Sequence, residues 1–330
     1  MYTTISASLF DTRITTSTRI QQFYAGKKVV VTGGAGFIGS SIVELLVQLG
    51  AQVTLIDNFS TGTWENIAHV AHAITCITSD ITDKDLCIRA TQGASIIFHL
   101  AAHVSVPQSF EHPYTCHSIN VEGTVNLLEA ARINGVERFI FSSSSAVYGP
   151  RNEPCSESMI CNPISPYGMS KLIGELYCKQ YSQFFTIKTI CLRYFNVHGP
   201  RQSEQGAYTG VVKKITTALT RNEPITIYGD GLQTRDFIHV DDVAWANVYC
   251  GSLPESYLNG LPINIASGTS VTLLDFIEQL KVGYQYHKPL LFKPARTGDI
   301  RFSSANCTRL RELLRLEETA HGELVEPCSE

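Results

Sequence analysis

The sequence predicts an α/β fold: a Rossmann-type doubly wound parallel sheet followed by a smaller C-terminal α/β substrate-binding domain. Three observations predict it. Glycines at 33, 36 and 39 stand at a three-residue spacing between a strand-like run and a helix-like run. Short, continuously apolar, β-branched segments alternate with amphipathic helical ones through the first two thirds of the chain, as expected for strands covered on both faces. After Asn196 that rhythm breaks, and Gly, Pro and Gln cluster through residues 198–206.

Lys28–Thr32 (Lys-Val-Val-Val-Thr) is the first strand, ending in glycines. Residues 37–49 carry apolar side chains at helical spacing and stop at Gly50. Residues 52–56 form the second strand, closed by Asp57, and Ile74–Thr78, 95–100 and 138–141 repeat the pattern with helices between them. Two long helices follow, over roughly 113–134 and 167–185, and 187–193 is a sixth strand. The domain transition falls at Asn196, and 237–250 is one more strand-to-helix pass that returns to the sheet. The expected division is an N-terminal extension (1–25), a dinucleotide-binding domain (26–196, with a return near 237–260) and a substrate domain (197–330). No internal repeat or low-complexity segment is present.

Composition narrows the function classes. Of 330 residues, 44% are hydrophobic, enough for a substantial core, while only 17% are charged and the net charge is −4. A nucleic-acid surface needs clustered Lys and Arg, and pairs such as Lys213 and Lys214 read as solvated helix faces. No apolar run approaches the about 20 residues that span a bilayer, so neither nucleic acid nor membrane is an expected partner. Residues 1–25 are rich in Thr and Ser, and Asp11, Arg13 and Arg19 interrupt any apolar stretch, which leaves a leader helix or a loose tail rather than a secretory signal. The ten cysteines include no Cys-x-x-Cys and no zinc spacing, so no metal site is expected. Several, such as Cys191 in Ile-Cys-Leu-Arg, sit in apolar segments as small core residues of a cytoplasmic protein.

The glycine loop has a mechanical reading. Glycine permits a tight turn and lets the backbone approach a pyrophosphate, and the helix N-terminus beyond it offers free N–H groups. Asp57 lies about twenty residues on, where a carboxylate holds adenosine ribose hydroxyls and repels a 2′-phosphate, which favours NAD over NADP; alternatively it caps a following turn. Asp80 ends the third strand, either reaching the adenine with Ile81 or standing as an exposed loop acid. Tyr167 and Lys171 share one face of a helix at i and i+4, 23 residues after Ser144. A phenol titrates near ~10, and a cation close by favours the phenolate. The pair therefore supplies an acid/base for an alcohol hydroxyl, and Ser144 can hydrogen-bond the same oxygen.

The ordered motifs resemble the extended short-chain dehydrogenase/reductase family and, within it, the nucleotide-sugar 4-epimerases acting on UDP-glucose and UDP-N-acetylglucosamine. They are GGAGFIGS (33–40), DNFSTG (57–62), HLAAHVSVPQS (99–109), NVEGTVNLLEAAR (120–132), FSSSSAVYG (141–149), SPYGMSK (165–171), LRYFNVHGPRQ (192–202), IYGDGLQTRDFIHVDDV (227–243) and RTGDIRFS (296–303). The likeness runs from about Lys27 to about Leu314. It implies NAD as cofactor, with Gly33, Gly36, Phe37, Ile38 and Gly39 at the pyrophosphate and Asp57, Asn58, Ser60, Thr61 and Gly62 at the adenosine ribose. Asp80 and Ile81 would flank the adenine. Leu100, Ala101, Ala102 and Val104, with Asn120 nearby and Phe195, would line the nicotinamide end. Ser144, Tyr167 and Lys171 would be catalytic. Ser105, Asn196, Val211, Thr226, Tyr228, Arg235, Arg296, Asp299 and Ser303 would bind the UDP-sugar. Arg235 and Arg296 suit a diphosphate, which wants guanidinium forks, and Arg193 and Arg201 are weaker candidates.

Related dehydratases and decarboxylases carry an acid in the serine motif, where this chain has Ser143-Ser144-Ser145-Ala146. Without that second proton carrier, inversion at C4 through a transient 4-keto sugar is the implied reaction. In the family the position of Ser303 is a gate beside the sugar 2-substituent; its small size implies that N-acetylated sugars enter as well as plain hexoses. The segment 196–208 also looks closer to the acetamido-sugar branch. The rivals are a UDP-glucuronate 4-epimerase or another nucleotide-sugar epimerase and, in another class, a non-catalytic NAD-binding regulatory protein. Helices 113–134 and 167–185 commonly build a dimer four-helix bundle in the family, so a homodimer is implied. Residues 315–330 are short, acidic and weakly periodic, and so depart from the family's closing helix.

Overall fold

The computed structural model describes residues 10, 17–203, 211–284, 286–295 and 301–320, with side chains up to 315. In chain order the elements are α1 (Thr18–Tyr24), β1 (Lys28–Thr32), α2 (Phe37–Gln48), β2 (Gln52–Asp57), β3 (Ile74–Thr78), α3 (Lys84–Ala90), β4 (Ile96–His99), α4 (Val106–Glu111), α5 (Pro113–His117), α6 (Gly123–Asn134), β5 (Arg138–Ser144), α7 (Pro166–Phe184), β6 (Lys188–Tyr194) and β7 (Asn196–His198). Then come α8 (Val211–Thr220), β8 (Ile225–Tyr228), β9 (Thr234–His239), α9 (Val240–Gly251), β10 (Asn259–Ile265), β11 (Ser270–Thr272), α10 (Leu273–Tyr284), β12 (Leu290–Lys293) and α11 (Thr308–Ala320).

Seven strands form one sheet in the order β10-β6-β5-β4-β1-β2-β3, all parallel. Side chains alternate between the faces of a strand, and the two main cores show it residue by residue. Val29, Val31, Ile96, Phe98, Ile140, Ile190 and Leu192 point into one core with α2 and α9. Val30, Ile97, Phe139, Phe141 and Cys191 point into the other with α6 and α7. Central strands are buried throughout, whereas edge strand β3 is only partly covered. That is why the central ones read as unbroken apolar runs.

Among the described residues two small sheets accompany it, β11-β9-β7 and β12-β8. A separate core joins Val212, Ile215, Ile225, Ile227, Phe237 and Phe276. The pass at 237–250 therefore divides: β9 pairs with β7 and β11, α9 lies on the main sheet, and the strand that joins the sheet edge beside β6 is β10. The helix expected over 113–134 is interrupted by a π turn, Ser118–Glu122. β5 runs three residues further than expected, so that Ser144 is its last residue.

Described residues from both ends of the chain pack on α9. Tyr24, fully buried, donates to the Val248 carbonyl at 2.7 Å, and Phe10 meets Tyr249 edge-on at 6.2 Å. The residues 17–24 of the extension thus form a docked helix, capped by Ser17. α11 buries Leu310 and Leu313 in the same core, and of the segment 315–330 the residues beyond 320 lie outside the described ones.

Candidate active site

The strand order reverses between β1 and β4, which opens a crevice at the carboxyl ends of the strands. The glycine loop follows β1. Gly33 has φ +68°, and a Cβ there would stand 2.7 Å from the Ala101 amide nitrogen. A Cβ on Gly39 would meet the Gly33 carbonyl oxygen at 2.1 Å. Both positions therefore require glycine. Gly36 is the N-cap of the twelve-residue α2 and gives it no side-chain cap, so the helix presents uncapped N–H groups at Phe37 and Ile38. This donor set fits a pyrophosphate.

Asp57, 7% exposed, accepts from the Ala35 amide at 2.9 Å and the Phe59 amide at 2.8 Å. It locks the glycine loop to the turn that carries Asn58, Ser60, Thr61 and Gly62, and so has the capping role as well as the expected position. Asn58 donates to Asp80 at 2.7 Å. Burial disfavours the Asp80 carboxylate, but hydrogen bonds from Thr82 and Asn58 outweigh it and hold the group below the usual range. Ile81 is buried beside it.

Ser144 ends β5 and accepts from the Ala146 amide at 3.2 Å, which leaves its hydroxyl proton for another partner. Ser165 caps α7 by accepting from the Gly168 amide at 3.0 Å. One turn into that helix, Tyr167 and Lys171 share a buried face, at 7% and 4% exposure. The Lys171 ammonium donates to the Ser142 carbonyl at 2.8 Å and sits 5.1 Å from the Phe141 ring centroid. Burial pushes Lys171 down to about 8, against the opposing pull of Cys116, Cys178 and Glu175. A cation, a phenol and a hydroxyl thus come from two elements that pack directly on each other.

The wall after β4 comprises Leu100, Ala101, Ala102, Val104 and Ser105. Asn120, delivered by the π turn, accepts from the His103 amide at 2.7 Å and donates to the His103 carbonyl at 3.0 Å and to Ser170 at 2.9 Å. Its amide ties the wall to the helix that carries Lys171. π turns of this kind recur at functional sites, and periodicity does not show them. His99 bridges Thr32 and Thr124 at 2.8 and 2.9 Å, and burial holds its ring down to about 3.

On the substrate side, Phe195 and Asn196 follow β6, and Asn196 donates to Ser303 at 3.2 Å and to the Asp236 carbonyl at 3.0 Å. Thr226 and Tyr228 lie on β8, Arg235 on β9, and Val211 opens α8. Arg296 and Asp299 lie outside the described residues, as do 204–210. Two arginines weighed for the diphosphate are engaged elsewhere. Arg193 is buried in a pair with Glu175, and Arg201 pairs with Glu44 on α2. Asp236 was not singled out from sequence. Its buried carboxylate gathers N–H groups from Ser267, Gly268 and Ala305 and so anchors the loops around Ser303. Among the described residues no cluster of three His, Cys, Asp or Glu fits a metal, and no helix is long and apolar enough to cross a membrane.

Known proteins share the fold of this chain. The profile of the NAD dependent epimerase/dehydratase family matches residues 29–266. A putative UDP-glucose 4-epimerase of Methanocaldococcus jannaschii is 37% identical over 275 residues, 82% of this chain and 87% of that one. A UDP-N-acetyl-alpha-D-glucosaminuronate decarboxylase of Bacillus cytotoxicus is 35% identical over 73% of this chain and 75% of that one. The structure of the UDP-N-acetylglucosamine 4-epimerase of Methanobrevibacter ruminantium M1, in complex with UDP-N-acetylmuramic acid, superposes with a TM-score of 0.83 at 37% identity, covering 89% of this chain and 96% of that one. The UDP-glucose 4-epimerase of Thermotoga maritima with UDP-glucose gives 0.82 at 36%, covering 86% and 91%.

Proposed function

The chain belongs to the NAD dependent epimerase/dehydratase family, and on that premise we propose that it inverts C4 of UDP-sugars, taking UDP-GlcNAc and UDP-GalNAc as well as UDP-Glc and UDP-Gal. The observation that carries this reading is the end of β5: the strand packs on the helix that carries Tyr167 and Lys171 and ends at Ser144, and the turn Ser145–Val147 beyond it holds no carboxylate. One proton carrier suffices for inversion, whereas elimination needs a second. Bound NAD supplies the hydride acceptor and donor. Tyr167 takes the proton of the sugar 4-hydroxyl, with Ser144 hydrogen-bonded to the same oxygen, and returns it once the 4-keto sugar has turned over. The buried Lys171 ammonium favours the phenolate. Contacts to the UDP part, from Arg235, Tyr228 and their neighbours, hold the ketone in the pocket while it turns, so binding remote from C4 serves the chemistry.

Ser303 supports the wider substrate range, being small and hydrogen-bonded to Asn196. A uronate would want a further cation, and Arg301, the nearest in sequence to Ser303, is paired with Asp230 at 2.9 Å. We further propose a homodimer through the exposed faces of α5 to α7, and the division into dinucleotide and substrate domains near Asn196. The deciding experiment incubates the purified protein with UDP-GalNAc and, separately, UDP-Gal, followed by proton NMR. Both should relax to mixtures of C4 epimers. Tyr167→Phe should keep its bound NAD and lose about 10²- to 10⁴-fold in turnover. Release of free NADH in step with substrate loss would instead mark a net oxidation and end this reading.

A further inference from the structure

We propose that Glu175, with Arg193 and Ser143, is a positioning residue for this chemistry: a buried carboxylate clamp that fixes the end of β5, and so Ser144, against the helix face carrying Tyr167 and Lys171. The proposal rests on the reading above. Tyr167, Lys171 and Glu175 follow at i, i+4 and i+8 on α7 and share its inward face. Glu175 is 5% exposed. Its Oε1 accepts from Ser143 Oγ at 2.5 Å and from Arg193 Nε at 2.8 Å, and its Oε2 from an Arg193 terminal nitrogen at 2.6 Å.

Register places these contacts at the site's threshold. In the β5–β6 ladder Ser143 stands opposite Arg193, and Ser144 opposite Tyr194. The clamp therefore joins three elements one residue before β5 delivers Ser144 and two residues before β6 leads into Phe195. Each serine at the end of β5 has a separate tie. Ser142 offers its carbonyl to Lys171 and its hydroxyl to Tyr194, at 2.8 and 2.9 Å. Ser143 goes to Glu175, and Ser144 bonds only the Ala146 amide among the described contacts. The Arg193 guanidinium also lies 4.7 Å from the Tyr148 ring centroid, and Tyr148 donates to Asn264 at 2.6 Å. The turn beyond Ser144 is thereby held from its far side.

Stability alone does not account for such a pair. Desolvating a carboxylate and a guanidinium costs enough that well-packed apolar residues of similar volume do as well or better. What a fork-to-fork contact adds is direction, and a directed contact matters where a hydroxyl must meet a reacting oxygen. Charge adds a second link: the Glu175 carboxylate favours the Lys171 ammonium. The other titratable groups facing that ammonium are Cys116 on α5, Cys178 on α7 and His99 on β4.

The test uses the NAD-loaded enzyme and the variants Ser143→Ala, Ser143→Thr and Glu175→Gln. Ser143→Ala should lower kcat by roughly tenfold to a hundredfold, the scale on which small misplacements act, with KM for the UDP-sugar and NAD content within about twofold of wild type. Ser143→Thr, which keeps the hydroxyl, should recover most of the loss. Glu175→Gln should move the basic limb of the pH–kcat profile to lower pH, because Lys171 loses a neighbour that favours its charged form. Should Glu175→Gln fail to fold, Ser143→Ala still decides. A Ser143→Ala enzyme with wild-type kcat and a lowered melting temperature would make the clamp merely structural and overturn the proposal. If the wild type inverts no UDP-sugar, the functional reading has failed, and the clamp is then read without turnover. The tyrosinate absorbance step lost in Tyr167→Phe should shift in Ser143→Ala; an unmoved step overturns the proposal.

Discussion

At the residue scale the site depends on two side chains whose surroundings set what they can do. Lys171 is useful as a cation, and burial lowers it to about 8. Below that pH the ammonium is present beside Tyr167; above it the proton leaves and the phenolate loses its support. The rate should therefore fall on the basic side, with a midpoint near that value and a tenfold loss per further pH unit, in a kcat profile taken with saturating substrate. In the proposed reading Ser303 sets size rather than charge. Its hydroxyl is held by Asn196 and its amide donates to the Thr234 carbonyl at 3.2 Å, so its position is fixed and only its bulk is open to change. Ser303→Tyr should cut kcat/KM for UDP-GalNAc by at least ~10-fold while sparing UDP-Gal, since steric rejection is selective for the larger 2-substituent. Equal losses on both sugars would remove Ser303 from that role.

At the scale of elements α7 has two working faces. Tyr167, Lys171 and Glu175 point inward, while Met169, Leu176 and Phe184 point outward at 47, 55 and 69% exposure. The outward set recurs at the spacing of a helix-packing seam. Tyr114 on α5 and Phe110 on α4 are exposed as well, at 77 and 59%. We expect a second copy to cover these side chains. Leu176→Glu should then weaken self-association by at least about 2 kcal/mol, seen as a monomer in light scattering, with Lys171 and Tyr167 undisturbed on the other face. A protein that is monomeric before the substitution would refute the seam. This helix was legible in the sequence because both its faces carry a strong pattern and a Ser-Pro start. The π turn before α6 was not, since one extra residue in a turn leaves the surrounding spacing nearly unchanged. Nor was the pairing of Glu175 with Arg193, because 18 residues separate two charges that each look surface-bound until strand β6 is laid beside β5.

At the scale of the whole molecule, the main sheet was legible because its central strands are buried on both faces and so carry continuous apolar runs. The three-residue strands β7 and β11 carry too few residues for any period to show, which is why β9 was expected in the main sheet. One buried group at this junction has consequences for the molecule as a unit. His198, the last residue of β7, is 1% exposed, and neither ring nitrogen has a hydrogen-bond partner among the described residues. Its ring meets Phe237 and His239 at 6.3 and 5.4 Å, and burial lowers it to about 4. His99 behaves likewise, down to about 3. The unfolded chain protonates both near ~6.5. Between that pH and about 4 the unfolded state therefore binds protons that the folded state refuses, and stability falls as the pH is lowered. The loss is about 1.4 kcal/mol per pH unit for each histidine. His198→Phe removes one of the two and also the unpaired nitrogens. It should raise unfolding free energy by ~1–2 kcal/mol at neutral pH and lower the slope of stability against pH by about 1.4 kcal/mol per unit between roughly 4.5 and 6.5 in urea titrations. His99, His103 and the carboxylates contribute to the slope of both proteins and cancel in the difference between them. A variant whose stability runs parallel to wild type across that window would show that His198 takes up its proton as readily in the fold as outside it.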